Sequence, residues 1–331
     1  MKFLKTLAIG GAMALALASA GPASATTTIA LLVKNLGNGF FDAAAKGAEE
    51  AAKELGDTKI IYTGPTKATP EGQIDIINQL VAQGVNAIAI SANDADALVP
   101  ALKKAMDRGV TVISFDSGVA QAGRQMNLYA SAPDQIGEQN IKMASDLLAG
   151  QKGDVAILSA TSTATNQNAW IEVMKKVVGK YPNVNLVDTV YGDDNDDKSL
   201  AEAKGLIQKY PNLKVIIAPT TVGIRQASVV VEDQKLVGKV LVTGLGLPSE
   251  MLSHVKSGAS PQFALWNPID LGYAAATIAY NLANKKETAT AGGELSMGKL
   301  GKVKLDDTLS GPMAPPFVFD AKNIDQFSKI Y

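Results

Sequence analysis

Cysteine is absent from all 331 residues, and histidine occurs once, as His254. The first absence removes disulfides, iron–sulfur clusters, thiolate zinc sites and thiol nucleophiles, and the second removes any paired-histidine metal motif. Aromatic residues make up only 5%, and neither sign of charge dominates, with Lys+Arg 31 against Asp+Glu 32. That balance gathers neither nucleic-acid phosphates nor anionic lipid, so no nucleic-acid partner is expected. Beyond the N-terminus no apolar run reaches the ~20 residues of a membrane span. No metal, cofactor or catalytic residue is expected.

What is present begins with a leader-like segment. Met1 to Ala25 carries Lys2 and Lys5, an apolar run of small residues from Leu7 to Ala18, and Ala23-Ser24-Ala25 before a threonine cluster. These are the features of a secretory signal peptide cleaved after Ala25. The mature chain is then expected outside the cytoplasmic membrane, and no cysteine follows to make it an ordinary lipoprotein.

From Thr28 onward, short β-branched runs alternate with segments of helical spacing. Strands are expected at Ile29 to Val33, Lys59 to Tyr62, Ala87 to Ser91, Thr111 to Phe115, Asp154 to Leu158, Val184 to Val190, Leu213 to Ala218, Lys239 to Thr243 and Gln262 to Trp266. Their nearly continuous apolar character suits parallel strands buried on both faces. In the first helical segment Phe40, Phe41, Ala44, Ala48, Ala51, Ala52 and Leu55 share one stripe. Nine βα units exceed one doubly wound sheet, and the rhythm breaks at Gln125 to Pro133, again after Trp266-Asn267-Pro268, and in the Gly- and Pro-rich tail. Two α/β domains are therefore expected: residues 26–128 plus 265–305, and 129–264 plus 306–331.

The local motifs for chemistry fail. Gly37-Asn38-Gly39 lies between a strand and a helix, but a dinucleotide fingerprint would place its third glycine at Asp42. Asp193 to Asp197 would need glycine at Lys198 and glutamate at Lys204 to make a calcium loop, and reads instead as a solvated turn before a helix. His254 has no nucleophile elbow to serve and reads as a surface or packing residue.

In open parallel sheets ligands sit at the carboxyl ends of strands. There the sequence offers Lys34-Asn35, Asp116-Ser117, the polar run Ser159 to Asn168, Pro219-Thr220-Thr221 and Trp266-Asn267. The Ser/Thr run is either a plain loop or a hydroxyl-rich cleft wall. Phe40, Phe41 and Trp266 are either core residues or the apolar faces of a sugar site, where rings meet C–H groups and amides and carboxylates meet hydroxyls.

Asn38-Gly39-Phe40-Phe41, Gly84 to Ile90 and Arg108 to Ile113, together with the leader and the two βα domains, resemble the type I periplasmic sugar-binding proteins of ABC transporters. The resemblance spans essentially the whole mature chain. Val33 to Phe41, Tyr62 to Thr66, Asn166 to Trp170, Ile217 to Thr221 and Leu265 to Pro268 are similar to the branch that holds rhamnose-binding proteins and their close relatives, the autoinducer-2 receptors. It implies a non-enzymatic, monomeric periplasmic protein whose two doubly wound parallel-sheet domains are joined by a three-crossing hinge. Such a protein closes on a sugar and delivers it to the membrane permease subunits.

By position the resemblance implies ligand contacts from Lys34, Asn35, Phe40, Phe41, Asp116, Asn166, Gln167, Trp170, Pro219, Thr221, Trp266 and Asn267. Lys34 would donate to hydroxyls and hold Asp116 ionised, Asn166 and Gln167 would bridge from the second domain, and the Pro219 and Thr221 backbone would close one side. Ser117 and Leu245 depart from the ribose and galactose patterns. Asn166 and Asn267 stand where autoinducer-2 receptors carry acids, so L-rhamnose is the favoured ligand. An autoinducer-2 or small-polyol binding protein or chemoreceptor is the alternative, and an exported sugar-modifying enzyme using Lys34 and Asp116 a further one.

Overall fold

The computed structural model describes residues 26–331, so the expected leader lies outside the described residues. The chain opens with β1 (Thr27–Leu32), α1 (Gly39–Leu55), β2 (Thr58–Thr63), α2 (Pro70–Gln83), β3 (Ala87–Ile90), α3 (Val99–Asp107), β4 (Thr111–Phe115) and β5 (Met126–Tyr129). It continues through α4 (Pro133–Leu147), β6 (Gly153–Ser159), α5 (Thr165–Val177), β7 (Val184–Tyr191), α6 (Asp196–Lys209), β8 (Leu213–Ala218), α7 (Thr221–Asp233), β9 (Leu241–Gly244), α8 (Pro248–Ser257) and β10 (Gln262–Leu265). The last part holds α9 (Pro268–Ala283), β11 (Glu294–Ser296), β12 (Lys302–Lys304), β13 (Ser310–Pro312), β14 (Phe317–Asp320) and α10 (Ile324–Phe327).

Two sheets result. The first runs β13-β5-β4-β3-β1-β2 and is parallel throughout. Its strands alternate between two apolar layers: Ile29 and Leu31 face one, Ala30 and Leu32 the other. The second runs β7-β6-β8-β9, and a bridge from Leu245 to Ala264 continues it into β10, which pairs antiparallel with β14. In each sheet the first strand of its lobe, β1 or β6, lies between the two strands that follow it in sequence. The loops leaving those central strands therefore diverge and open a crevice at their carboxyl ends.

Local chemistry sets the helix starts that face the crevice. The Asn38 side chain accepts from Phe40 N at 3.0 Å and starts α1, while Asn195 starts α6 and Asn267 starts α9 in the same manner. Helix α1 lies directly against α9 because both present small residues. A Cβ on Gly47 would sit 1.7 Å from the Ile269 carbonyl oxygen, and one on Gly272 1.8 Å from that of Ala44, so glycine is required at both crossings.

The expected fold, two doubly wound α/β domains, is borne out, with two differences in detail. Met126–Tyr129 forms strand β5 inside the stretch read as an interruption. Four residues containing a buried asparagine carry little strand signal, yet Asn127 Oδ1 accepts from Ser114 Oγ on β4 at 2.8 Å and is satisfied within the sheet. The tail returns later than residue 305: Ser310–Pro312 still pairs with β5, and only β14 joins the second sheet. The chain therefore passes between lobes at 130–132, 266–267 and 313–316.

Candidate functional site

A cavity lies between the lobes at the carboxyl ends of β1, β4, β6, β8 and β10, with about 370 Å³ of non-atom space, part of it open to solvent. Its walls include Lys34, Phe40, Phe41, Asp116, Asn166, Gln167, Trp170, Pro219, Thr221 and Trp266, ten of the twelve residues expected.

A polar chain crosses the cavity between the lobes. Lys34 Nζ donates to Asn166 Oδ1 at 2.9 Å, and Asn166 Nδ2 donates to Asp116 Oδ1 at 3.0 Å. The amide thus turns its oxygen to the cation and its NH2 to the anion, an alignment a carboxylate at this position could not provide. Asp116, at φ 59°, also accepts from Ser91 Oγ at 2.7 Å. Each carboxylate oxygen thus has one protein partner and a further lone pair. Burial pushes the Asp116 carboxyl above its ordinary value, against the downward pull of Lys34 and of the bonds from Ser91 and Asn166. Lys34 does favour the ionised form as expected, but desolvation is the larger effect.

The second lobe adds Gln167, whose Nε2 donates to the Pro219 carbonyl at 3.2 Å, and Thr221, whose Oγ1 donates across the cleft to Asn38 Oδ1 at 3.3 Å. The Pro219 carbonyl is therefore engaged by Gln167. Thr163 Oγ1, from the Ser/Thr run, donates to the Asn93 carbonyl of the first lobe at 2.8 Å. The run is thus more than a plain loop, because it touches the opposite lobe.

Aromatic rings form the apolar wall. Phe40 meets Phe41 edge-on at 5.2 Å and Trp266 at 6.0 Å, and Trp266 meets Trp170 at 5.9 Å. These edge-to-face contacts fix the rings in place. Two buried polar atoms of this wall lack any protein partner: the donor Trp266 Nε1 and the acceptor Gln167 Oε1. Their residues are 3% and 5% exposed and both line the cavity, so a buried donor and a buried acceptor at the same site go unmatched.

Two expected contacts are corrected. Asn267 does not line the cavity; its Oδ1 accepts from Ile269 N at 3.0 Å and caps α9. Asn35 is buried beside the cavity without lining it, its Oδ1 also unpartnered. Asn267 therefore has a capping task of its own, whereas Asn166 lies in the cavity wall.

Five lining residues stand outside the twelve expected contacts: Asn38, Asp194, Thr220, Leu245 and Leu265, of which Thr220 is among the strand-end candidates. Of the Asp193 to Asp197 turn, Asp196 and Asp197 do open α6 in solvent, but Asp194 turns inward. Among the described residues no acid and histidine cluster could hold a metal ion. His254 packs between helices, with Nδ1 2.9 Å from Glu232 Oε1.

Two α/β lobes, three passages between them and a polar and aromatic cleft define a two-lobed binding protein. The chain belongs to the periplasmic binding protein family, whose domain model matches residues 29–287. It is similar to an ABC transporter solute-binding protein from Clostridium phytofermentas solved with bound L-rhamnose, at 39% identity and TM-score 0.89, covering 92% of this chain and 99% of that one. It is also similar to LsrB from Clostridium saccharobutylicum in complex with AI-2, at 25% identity and TM-score 0.85, covering 91% and 99%. The D-allose-binding periplasmic protein of Escherichia coli strain K12 is 26% identical over 301 residues, 87% of this chain and 92% of that one. The resemblance read from the sequence is thus borne out: the chain is a periplasmic binding protein similar to sugar- and AI-2-binding proteins of ABC transporters. No helix among the described residues is long and apolar enough to cross a membrane.

Proposed function

We propose that the protein is the periplasmic receptor of an ABC importer for a neutral deoxyhexose, with L-rhamnose the favoured ligand. The observation that carries this reading is the pairing of a stranded donor, Trp266 Nε1, with a stranded acceptor, Gln167 Oε1, in one aromatic-walled cleft. A sugar hydroxyl both donates and accepts, so a polyol satisfies both atoms at once. Lys34, Asn166 and Asp116 supply further hydroxyl partners, and the rings of Phe41, Trp170 and Trp266 with Leu245 and Leu265 offer apolar surface to C–H groups and a C6 methyl. The amide at Asn166 favours this ligand over AI-2, and the rhamnose-bound neighbour at 39% identity supports the choice.

Residues 1–25 would be removed on export, and the mature monomer would close by a hinge at the three passages between lobes. Its closed form would then engage the permease. No catalysis is assigned: Lys34 and Asp116 are bridged by Asn166 and are read as hydroxyl-binding groups. The test is a thermal-shift and calorimetric panel of L-rhamnose, other deoxyhexoses, ribose, galactose, allose and AI-2, with product analysis of the bound sugar. A ligand that binds only the folded state raises the melting temperature. Tightest binding of a neutral deoxyhexose, recovered unchanged, supports the reading; tightest binding of AI-2 or turnover of the sugar overturns it.

A further inference from the structure

Strand β7 ends at Tyr191, and the chain turns through Gly192 and two consecutive left-handed residues, Asp193 at φ 57° and Asp194 at φ 49°. Backbone bonds pin the turn to the end of β6: Gly192 N donates to the Ser159 carbonyl at 2.8 Å and Asp193 N to that of Ala160 at 3.1 Å. Asp193 then points outward to Lys198, whereas Asp194 lines the cleft and accepts from Thr220 Oγ1. Lys34 and Asp116 both act on it electrostatically, so it lies within their field although it comes from the opposite lobe. The charged groups lining the cavity are therefore one cation, Lys34, and two carboxylates, Asp116 and Asp194. Gln167 and Trp266, whose Oε1 and Nε1 lack protein partners, line the same cavity and point independently to a hydroxylated occupant.

We propose that Asp194 is a specificity-determining residue of the cleft, accepting a hydroxyl of the bound sugar and, as the second of two carboxylates around Lys34, barring anionic sugars. The reasoning is electrostatic. With Asp116 alone, Lys34 would be balanced and a carboxylate ligand would meet a neutral site. With Asp194 added, the same ligand meets excess negative charge in a place with little water to screen it. A neutral polyol meets no such penalty and gains a charge-assisted hydrogen bond. Thr220 holds one carboxylate oxygen and so fixes the direction of the acceptor.

The inference rests on the reading of this cleft as a sugar site, and its test separates the two. Competition calorimetry would compare wild type, Asp194→Asn and Asp194→Ala with L-rhamnose and with L-mannuronate, which carries a carboxylate in place of the rhamnose methyl. If another sugar of the panel binds more tightly, that sugar and its uronate replace the pair. Asp194→Asn is expected to lose about tenfold in affinity for the neutral sugar, while its affinity for the uronate is unchanged or higher, with circular dichroism as for wild type. Asp194→Ala is expected to show the same reversal. Equal losses for both ligands, or none, would reduce Asp194 to a turn residue and overturn this inference alone. A wild-type protein that binds no neutral sugar would overturn the proposed function and this inference together.

Discussion

Asp116 is the residue on which the cleft turns, because its carboxylate has one partner in its own lobe and one in the other. Ser91 Oγ belongs to the first lobe and stays with Asp116 whether the cleft is open or shut. Asn166 Nδ2 belongs to the second lobe, so that bond exists only when the lobes meet. Replacing Asp116 by alanine therefore has two separable effects. Loss of the Ser91 bond, together with an alanine left at φ 59°, destabilises the first lobe by about 1–3 kcal/mol in either state. Loss of the Asn166 bond removes about 1 kcal/mol from closure, and loss of a charge-assisted bond to a ligand hydroxyl removes about 1.5–3 kcal/mol more. The closure and ligand losses together come to about 3 kcal/mol, or roughly two decades in Kd. Asp116→Asn separates the effects: asparagine tolerates the left-handed backbone and keeps an acceptor, so its fold should hold while its sugar affinity still falls by about a decade. Calorimetry with the sugar that wild type binds best, beside thermal melts without ligand, reads both quantities. Near-wild-type affinity in Asp116→Ala with an intact fold would refute the placement of the site.

Asn166→Asp should cost at least about tenfold in affinity for a neutral sugar at neutral pH, because it sets a second carboxylate against Asp116 where an NH2 group now donates. The loss should shrink in acid as the pair comes to share a proton, which a pH series of titrations would show. Burial raises both Asp116 and Asp194 above their ordinary value of 3.8, so the folded chain holds these protons more tightly than the unfolded one. Their contribution is therefore favourable in acid and is lost as pH rises through the raised values; calorimetric melts should show wild type gaining on an Asp116→Asn, Asp194→Asn double variant as pH falls toward 3.8. Gly47→Ala should lower the unfolding midpoint of the first lobe by several degrees, at a cost of about 2–3 kcal/mol, since the new methyl meets the Ile269 backbone; an unchanged midpoint would mean α1 and α9 can part freely. Solution scattering should show a smaller radius of gyration with saturating sugar than without, and an identical value in both states would count against hinge closure.

The parallel strands were legible because burial on both faces leaves almost no polar residue to blur them: β1 reads Thr-Thr-Ile-Ala-Leu-Leu and β8 reads Leu-Lys-Val-Ile-Ile-Ala. Strand β5 was hidden by Asn127, whose partner Ser114 is distant in sequence. The late return of the tail was hidden because β13 is three residues, Ser-Gly-Pro, held by backbone pairing to β5 and not by apolar content. In the site, the rule of reading the residues just past each strand found Lys34, Asp116 and Pro219. Applied equally to β7 it points to 192–194, but the carboxylates around Asp194 masked it as a solvated turn. Asn267 misled in the opposite direction. An asparagine before a proline at a helix start has a local task, capping, and here that task consumes its oxygen.

The same contacts say how the cleft is balanced. One apolar cluster runs through both lobes, and at the cleft they meet through the Phe40–Trp266 ring contact and through hydrogen bonds: Lys34 to Asn166, Asn166 to Asp116 and to Ser117 Oγ, Thr221 to Asn38 and Thr163 to the Asn93 carbonyl. In the open state water satisfies each of these groups, so each bond adds only about 0.5–1.5 kcal/mol on closing. Against that gain stand the desolvation of Asp116 and Asp194 and the stranding of Gln167 Oε1 and Trp266 Nε1, at about 1–3 kcal/mol for each unmatched atom. These terms oppose one another, so closure without a ligand carries an uncompensated penalty at Gln167 and Trp266. A ligand that supplies a donor to Gln167 and an acceptor to Trp266 removes the penalty and shifts the population toward the closed form. Specificity follows from the same arithmetic, since a ligand of similar size that leaves either atom unmatched gives back about one to two decades in affinity.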